Sequence, residues 1–117
     1  MKKTDTIYVK SYDELTRDEL FQILKTRQDV FVVEQNCVYP DIDETDLRSI
    51  FVFISDEKGA LKAGLRLFWK DPENRIIQMG RVLTTERGLG YGMDIVLKGI
   101  KQARTMHAGI LYIEAQT

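Results

Sequence analysis

From Thr6 to Tyr12 apolar and polar positions alternate, with Ile7 and Val9 on one side, and that period of two predicts a short strand. At Thr16 the rhythm lengthens. Thr16-Arg17-Asp18-Glu19 has the form of a capping box, in which the Thr16 hydroxyl accepts from the Glu19 amide while the Glu19 carboxylate reaches back. Leu20, Ile23, Leu24 and Phe31 follow at helical spacing, so residues 16 to about 33 read as an amphipathic helix with one face on a core. Asn36 to Asp46 holds Pro40 and four acids and reads as a loop with room for a helical turn.

From Ser49 the period returns to two. Ser49–Asp56 is an apolar strand, Glu57-Lys58-Gly59 a turn and Ala60–Lys70 a second strand, which together predict a β-hairpin. Asp71-Pro72-Glu73-Asn74 is a turn with proline at its second position, leading into a third strand over about Arg75–Thr85. After the glycine-rich Arg87–Gly92 come Met93, Val96, Leu97, Ile100 and Ala103, the stripe of a helix that ends near Gly109. Ile110–Ala115 is one last strand. A strand–helix–strand unit requires a right-handed crossover, so an otherwise antiparallel sheet should finish with a parallel pair. The expected class is α+β: a mixed, mostly antiparallel central sheet flanked by helices.

With 117 residues and no repeat or linker, the chain reads as a single domain, 1–117. Seventeen basic against eighteen acidic side chains leave a formal charge of -1, which gives no bulk attraction for nucleic acid. The longest apolar run, Ile50–Ile54, is far short of a membrane span. Met1-Lys2-Lys3 leads into polar residues and not into a secretory signal. Cys37 is the only cysteine, excluding an internal disulfide and a cysteine-rich zinc site; no metal is expected, and a reducing, cytoplasmic setting is. Charge is unevenly spread, with six basic and eleven acidic residues over 1–47 but eleven basic and seven acidic over 48–117. Either these are solvated faces, or the second half meets an anion while the first meets something neutral or cationic.

Candidate chemistry concentrates in Arg81-Val82-Leu83-Thr84-Thr85-Glu86-Arg87-Gly88-Leu89-Gly90-Tyr91-Gly92, where a strand feeds a loop with alternate glycines that opens straight into a helix. Such a loop can turn several N–H groups toward one point, and the helix start adds unsatisfied donors and the positive end of its dipole. With Arg87 alongside, it is either a phosphate or pyrophosphate cradle or a tight strand-to-helix turn. A dinucleotide fingerprint would need glycine where Met93 stands, and no Lys-Ser or Lys-Thr follows a glycine as a P-loop requires.

Arg87-Gly88-Leu89-Gly90-Tyr91-Gly92 resembles the [QR]-x-x-G-x-[GA] acetyl-CoA signature of the GNAT superfamily of N-acetyltransferases, with every specified position filled. Gly80-Arg81-Val82 on the preceding strand agrees, and Arg27-Gln28-Asp29-Val30-Phe31-Val32-Val33-Glu34-Gln35-Asn36-Cys37 resembles the ElaA-like branch, where a V-F-V-x-E-Q run is typical. The element order fits too. The resemblance implies that Arg87, Gly88, Leu89, Gly90, Tyr91 and Gly92 bind the pyrophosphate of acetyl-CoA through backbone amides. It implies a bulge in the strand Gln78–Thr85, with Val82, Leu83 and Thr84 pairing with the pantetheine arm and an N–H near Val82 polarising the thioester carbonyl. Transfer would be direct, from the thioester to an amine of a small molecule or peptide, with no acyl-enzyme.

Such transfer needs a base for the ammonium and an acid for the thiolate. Glu34, at the end of the first helix, is the candidate base or acceptor-orienting group, or else a surface or capping side chain. His107 falls at the end of the second helix, where a cation favours the dipole. Cys37 reads as a small buried or half-buried side chain. Asp41-Ile42-Asp43-Glu44-Thr45-Asp46 is not an EF-hand, since Asp46 stands where glycine is required and Val52 cannot ligate. These acids either line an acceptor groove or form a solvated loop. Phe51, Phe53, Phe68 and Trp69 read as core or sheet-face residues.

Members of the family continue with a further helix and two strands, including a tyrosine that protonates the thiolate; Tyr112 does not match it, and the expected fold lacks these elements. The last strand would leave a bare edge, so homodimerisation through it is expected. Two functions stay open: an acetyl-CoA-dependent N-acetyltransferase, or a non-catalytic CoA-binding or protein-interaction module on the same fold.

Overall fold

The computed structural model describes residues 1–34 and 41–114, and of Val33 and Glu34 only the backbone. Five strands form one sheet in the order β1-β2-β3-β4-β5: β1 (Thr6–Ser11), β2 (Ile50–Ser55), β3 (Leu61–Asp71), β4 (Ile76–Thr84) and β5 (Ile110–Ile113). The first four are antiparallel neighbours, while β4 and β5 run parallel, as a crossover through α2 (Tyr91–Thr105) demands. The α+β class, the hairpin and the parallel closing pair are therefore as the sequence pattern predicts.

The sheet is covered on both faces, which explains why the run Ile50–Ile54 is apolar at every position and not at alternate ones. Val52, Ile54, Leu65, Leu67, Ile77 and Met79 face α2 and pack on Ile95 and Ala103. Phe51, Phe53, Leu61 and Leu83 point the opposite way and pack on Ile23 and Phe31. Where α2 crosses the sheet, Gly99 carries no side chain because a Cβ there would stand 2.6 Å from the Met79 methyl. Among the described residues no helix is long and apolar enough to cross a membrane.

The first helix, α1 (Arg17–Arg27), starts at the capping box: Glu19 N–H donates to Thr16 Oγ1 at 3.1 Å and Thr16 N–H donates to Glu19 Oε1 at 2.8 Å. It does not continue as an α-helix to residue 33. At Gln28 it widens into a π-helical segment, Gln28–Glu34. Its buried positions Ile23, Arg27 and Phe31 are spaced by four, a period that suits winding looser than 3.6 residues per turn. The acidic stretch does contain a helical turn, a 3-10 helix over Glu44–Arg48. At the far side of the sheet Ile110, Tyr112 and Ile113 of β5 are exposed, and no strand pairs beyond β5 among the described residues.

Candidate active site

β4 pairs with β3 along its whole length, from Ile76 to Thr84, but with β5 only from Ile76 to Met79. The last link among the described residues is Glu114 N–H donating to Met79 O at 2.9 Å. Beside β4 past Met79 lies a cleft of about 770 Å³, bounded by β4, the π-helical segment and the end of β5. Its lining includes Val82, Leu83, Thr84 and Arg87, four of the residues that the sequence assigns to the site.

β4 is irregular where it borders the cleft. Gly80 pairs with Arg66 and Leu83 with Gly64, so Arg81 and Val82 together oppose Leu65 alone, which is a β-bulge. Arg81 adopts a left-handed φ of 53°, a conformation that disfavours any side chain bearing a Cβ. Its side chain holds it there: Nε lies 2.7 Å from Asp41 Oδ1, and Nη2 donates to the Asp41 carbonyl at 2.9 Å. The bulge breaks the alternation of the strand, and both of its residues line the cleft.

From Arg87 the chain runs into α2. Gly88 and Gly90 take left-handed φ values of 78° and 80°, with no other heavy atom within 4 Å of where a Cβ would stand. Gly90 caps α2, and the N–H groups of Gly88, Leu89 and Gly90 find no acceptor among the described residues. Free donors over open space at a helix start are what an anionic diphosphate requires. Tyr91 contributes its backbone only. Its ring is 2% exposed, and its hydroxyl donates to Asp5 Oδ2 at 2.7 Å. That hydrogen bond, burial and the Asp5 charge push the phenol up to about 12. Leu89 is half exposed, and Gly92 lies inside the first turn of α2.

The acidic loop is only partly solvated: Asp43 and Glu44 are exposed, whereas two of its carboxylates are not. Asp41 and Asp46 are buried and bind arginines: Arg27 Nε donates to Asp41 Oδ2 at 2.9 Å and Arg27 Nη1 to Asp46 Oδ1 at 2.7 Å. Arg66 Nη1 donates to Asp43 Oδ1 at 2.8 Å and to Asp46 Oδ1 at 2.9 Å. Burial would raise the Asp46 carboxyl, but hydrogen bonds and charge from Arg27 and then Arg66 outweigh it and hold it below the usual carboxylate range. The hydrogen bond from Arg66 does the same for Asp43, against its burial. Three acids of the first half, Asp41, Asp43 and Asp46, therefore meet two arginines of the second, Arg66 and Arg81, so a part of the uneven charge is internal pairing.

Glu34's side chain and Cys37 lie outside the described residues, so the candidate base is not placed. His107, two residues past α2, has a left-handed φ of 63° and offers its carbonyl to Arg75. Among the described residues no group of three or more His, Cys, Asp or Glu side chains could hold a metal ion. A further acid in the cleft escapes the sequence pattern. Glu114, one residue beyond β5, accepts from Gln78 Nε2 at 2.9 Å and lies 3.7 Å from Arg81 Nη1. Only the β4–β5 register reveals it, and a lone glutamate after an apolar strand carries no signal in sequence.

Relatives agree with this geometry. A UPF0039 protein of Schizosaccharomyces pombe is 33% identical over 106 residues, covering 89% of this chain and 69% of that protein. An acyl-CoA N-acyltransferase from Pseudomonas aeruginosa superposes with a TM-score of 0.85 at 31% identity, covering 96% of this chain and 80% of that one. Escherichia coli ElaA superposes at 0.88 with 29% identity, covering 97% and 79%. The chain belongs to the ElaA-like branch of the GNAT acetyltransferases. No protein-family model matches it. The fold is that of the GNAT acetyltransferases.

Proposed function

We propose that the chain is an N-acetyltransferase that moves an acetyl group from acetyl-CoA directly to an amine. One observation carries this: the cleft between β4 and β5 runs from the Arg81–Val82 bulge to Arg87, where the glycine loop enters α2. The donor set suits acetyl-CoA at both ends. Free N–H groups at Gly88, Leu89 and Gly90, with the Arg87 guanidinium, suit the pyrophosphate. The edge of β4 from Arg81 to Thr84, unpaired on the β5 side among the described residues, suits the amide-bearing pantetheine arm, which would lie along it as a strand lies along an edge. A backbone N–H at the bulge, near Val82, would face the thioester carbonyl and stabilise the charge that develops there.

Acetyl-CoA supplies the activated acyl group; the chain supplies position, a polarising donor and exclusion of water on the sheet side. Calorimetry with CoA, then release of free thiol from acetyl-CoA across a panel of amines, tests the proposal. Saturable CoA binding with amine-dependent thiol release is expected. CoA binding with no thiol release would overturn the enzyme and leave a CoA-binding module, and absence of CoA binding by the folded protein would remove both.

A further inference from the structure

Direct transfer requires that the acceptor lose a proton before its nitrogen can attack, and the described part of the cleft holds two acids. Asp29 projects from the π-helical segment, is largely exposed and is paired with Lys25 at 3.1 Å. Glu114 is placed differently. It stands one residue past β5, its N–H making the last bond between the strands among the described residues. Its carboxylate lies over Gly80, the residue before the bulge pair: a Cβ at Gly80 would come within 3.1 Å of Glu114 Oε2. Gln78 Nε2 fixes Oε2 at 2.9 Å, whereas the side chain remains 35% exposed and open to the cleft. Arg81 is committed to Asp41 and stands 3.7 Å from Oε1, close enough to orient the carboxylate.

We infer that Glu114 is the catalytic base of this site, and that it selects a cationic primary amine as acceptor; the inference rests on the acetyltransferase reading above. Glu114 takes one proton from the ammonium, leaving R–NH2. The nitrogen lone pair forms the N–C bond to the acetyl carbonyl carbon, and the C–S bond breaks with its electron pair leaving on sulfur. The second nitrogen proton neutralises that thiolate, and the proton held by Glu114 passes to water. Gln78 and Arg81 are positioning residues, acting through the carboxylate.

The test compares the intact chain with Glu114→Gln and Glu114→Ala, using 1,4-diaminobutane as the probe amine. Both variants should bind CoA as the parent does, which also shows that they fold. Affinity of the CoA-saturated protein for diaminobutane should fall about tenfold in each, as expected on losing a charge-assisted hydrogen bond. Turnover in Glu114→Gln should fall by about 10²–10⁴-fold, the range for a general base. Unchanged amine affinity, or a parental rate in Glu114→Gln, would overturn the role of Glu114 while leaving the acetyltransferase reading intact. A parent chain that binds no CoA would instead overturn that reading and this inference together.

Discussion

Arg27 and Asp46 lie 19 residues apart and meet through two hydrogen bonds, Nη1 to Oδ1 at 2.7 Å and Nη2 to Oδ2 at 3.2 Å, with 2% and 4% of their surfaces exposed. The pair ties the end of α1 to the 3-10 helix, and Arg66 extends it to β3. Removing one member strands buried charge. Asp46→Asn should therefore cost about 3–5 kcal/mol, since both arginines lose their shared anion. Urea unfolding would show it as a lowered midpoint with an unchanged slope; a loss below about 1 kcal/mol would mean that the pairing is incidental.

The same network sets the acid limit of stability. Asp43 and Asp46 are held below the ordinary carboxylate range, so the folded chain binds fewer protons than the unfolded one in acid. Their contribution is fully present above the unfolded value of about 4 and is lost as pH falls through the lower folded values. Urea midpoints should be level from pH 7 to about 5 and drop below about 4, and Asp46→Asn should flatten that drop. A midpoint steady down to pH 3 in the parent would contradict this.

Tyr91 predicts the mirror effect in alkali. Its folded value of about 12 lies above the usual 10. A raised value stabilises the fold below about pH 10, and the contribution is lost as pH climbs towards 12. Tyr91→Phe should lower Tm at pH 7, because Asp5 loses one of its two donors and keeps only the Lys2 amide, and should narrow the gap to the parent above pH 10. A gap that stays constant with pH would show that the phenol matters by packing alone.

What the sequence reveals follows from the range of the interactions involved. The Thr16–Glu19 box and the α2 boundary at Gly90 are local, and their residue types specify them. The doubly buried Ile50–Ile54 run is legible because a covered strand needs apolar side chains at every position. Arg27 is not legible: in an amphipathic helix an arginine reads as the solvated face, and only the return of Asp41 and Asp46 from a loop makes burial tolerable. The burial of Asp41 and Asp46 within an otherwise exposed acidic loop is hidden for the same reason. Glu114 depends on the register of two parallel strands separated by a whole helix, which no local pattern encodes. The loss of α-helical winding at Gln28 is likewise invisible to a search for 3.6-residue periodicity.

Arg87 supplies the one full positive charge at the glycine loop's entrance to the cleft. If it meets the pyrophosphate, it should matter for CoA and not for pantetheine, which lacks phosphates. Arg87→Ala should weaken CoA binding about tenfold and reduce its dependence on salt, leaving pantetheine binding unaltered. Equal losses for both ligands would move Arg87 to the arm, away from the phosphates.

The three glycines of the loop make separable predictions because their backbones differ. Gly90 is left-handed at 80° and caps α2, while Gly88 is left-handed at 78°; open space surrounds both. Alanine at either position meets no clash and suffers only the conformational penalty, about 1–2 kcal/mol. If that strain is relieved by rotating the peptide units, the free N–H groups turn away from a common point, so CoA affinity should fall even where the chain stays folded. Gly92 is helical, and its Cβ would touch Thr84 Cγ2 at an ordinary 3.7 Å. Gly92→Ala should therefore keep CoA affinity and gain about 0.5 kcal/mol in stability from the better helix former. This contrast matches the signature, which demands glycine at the position of Gly90 and admits alanine at that of Gly92. Calorimetric titration of the three variants with CoA checks it, and equal losses at Gly90 and Gly92 would mean that the loop binds through space it leaves open and not through the direction of its amides.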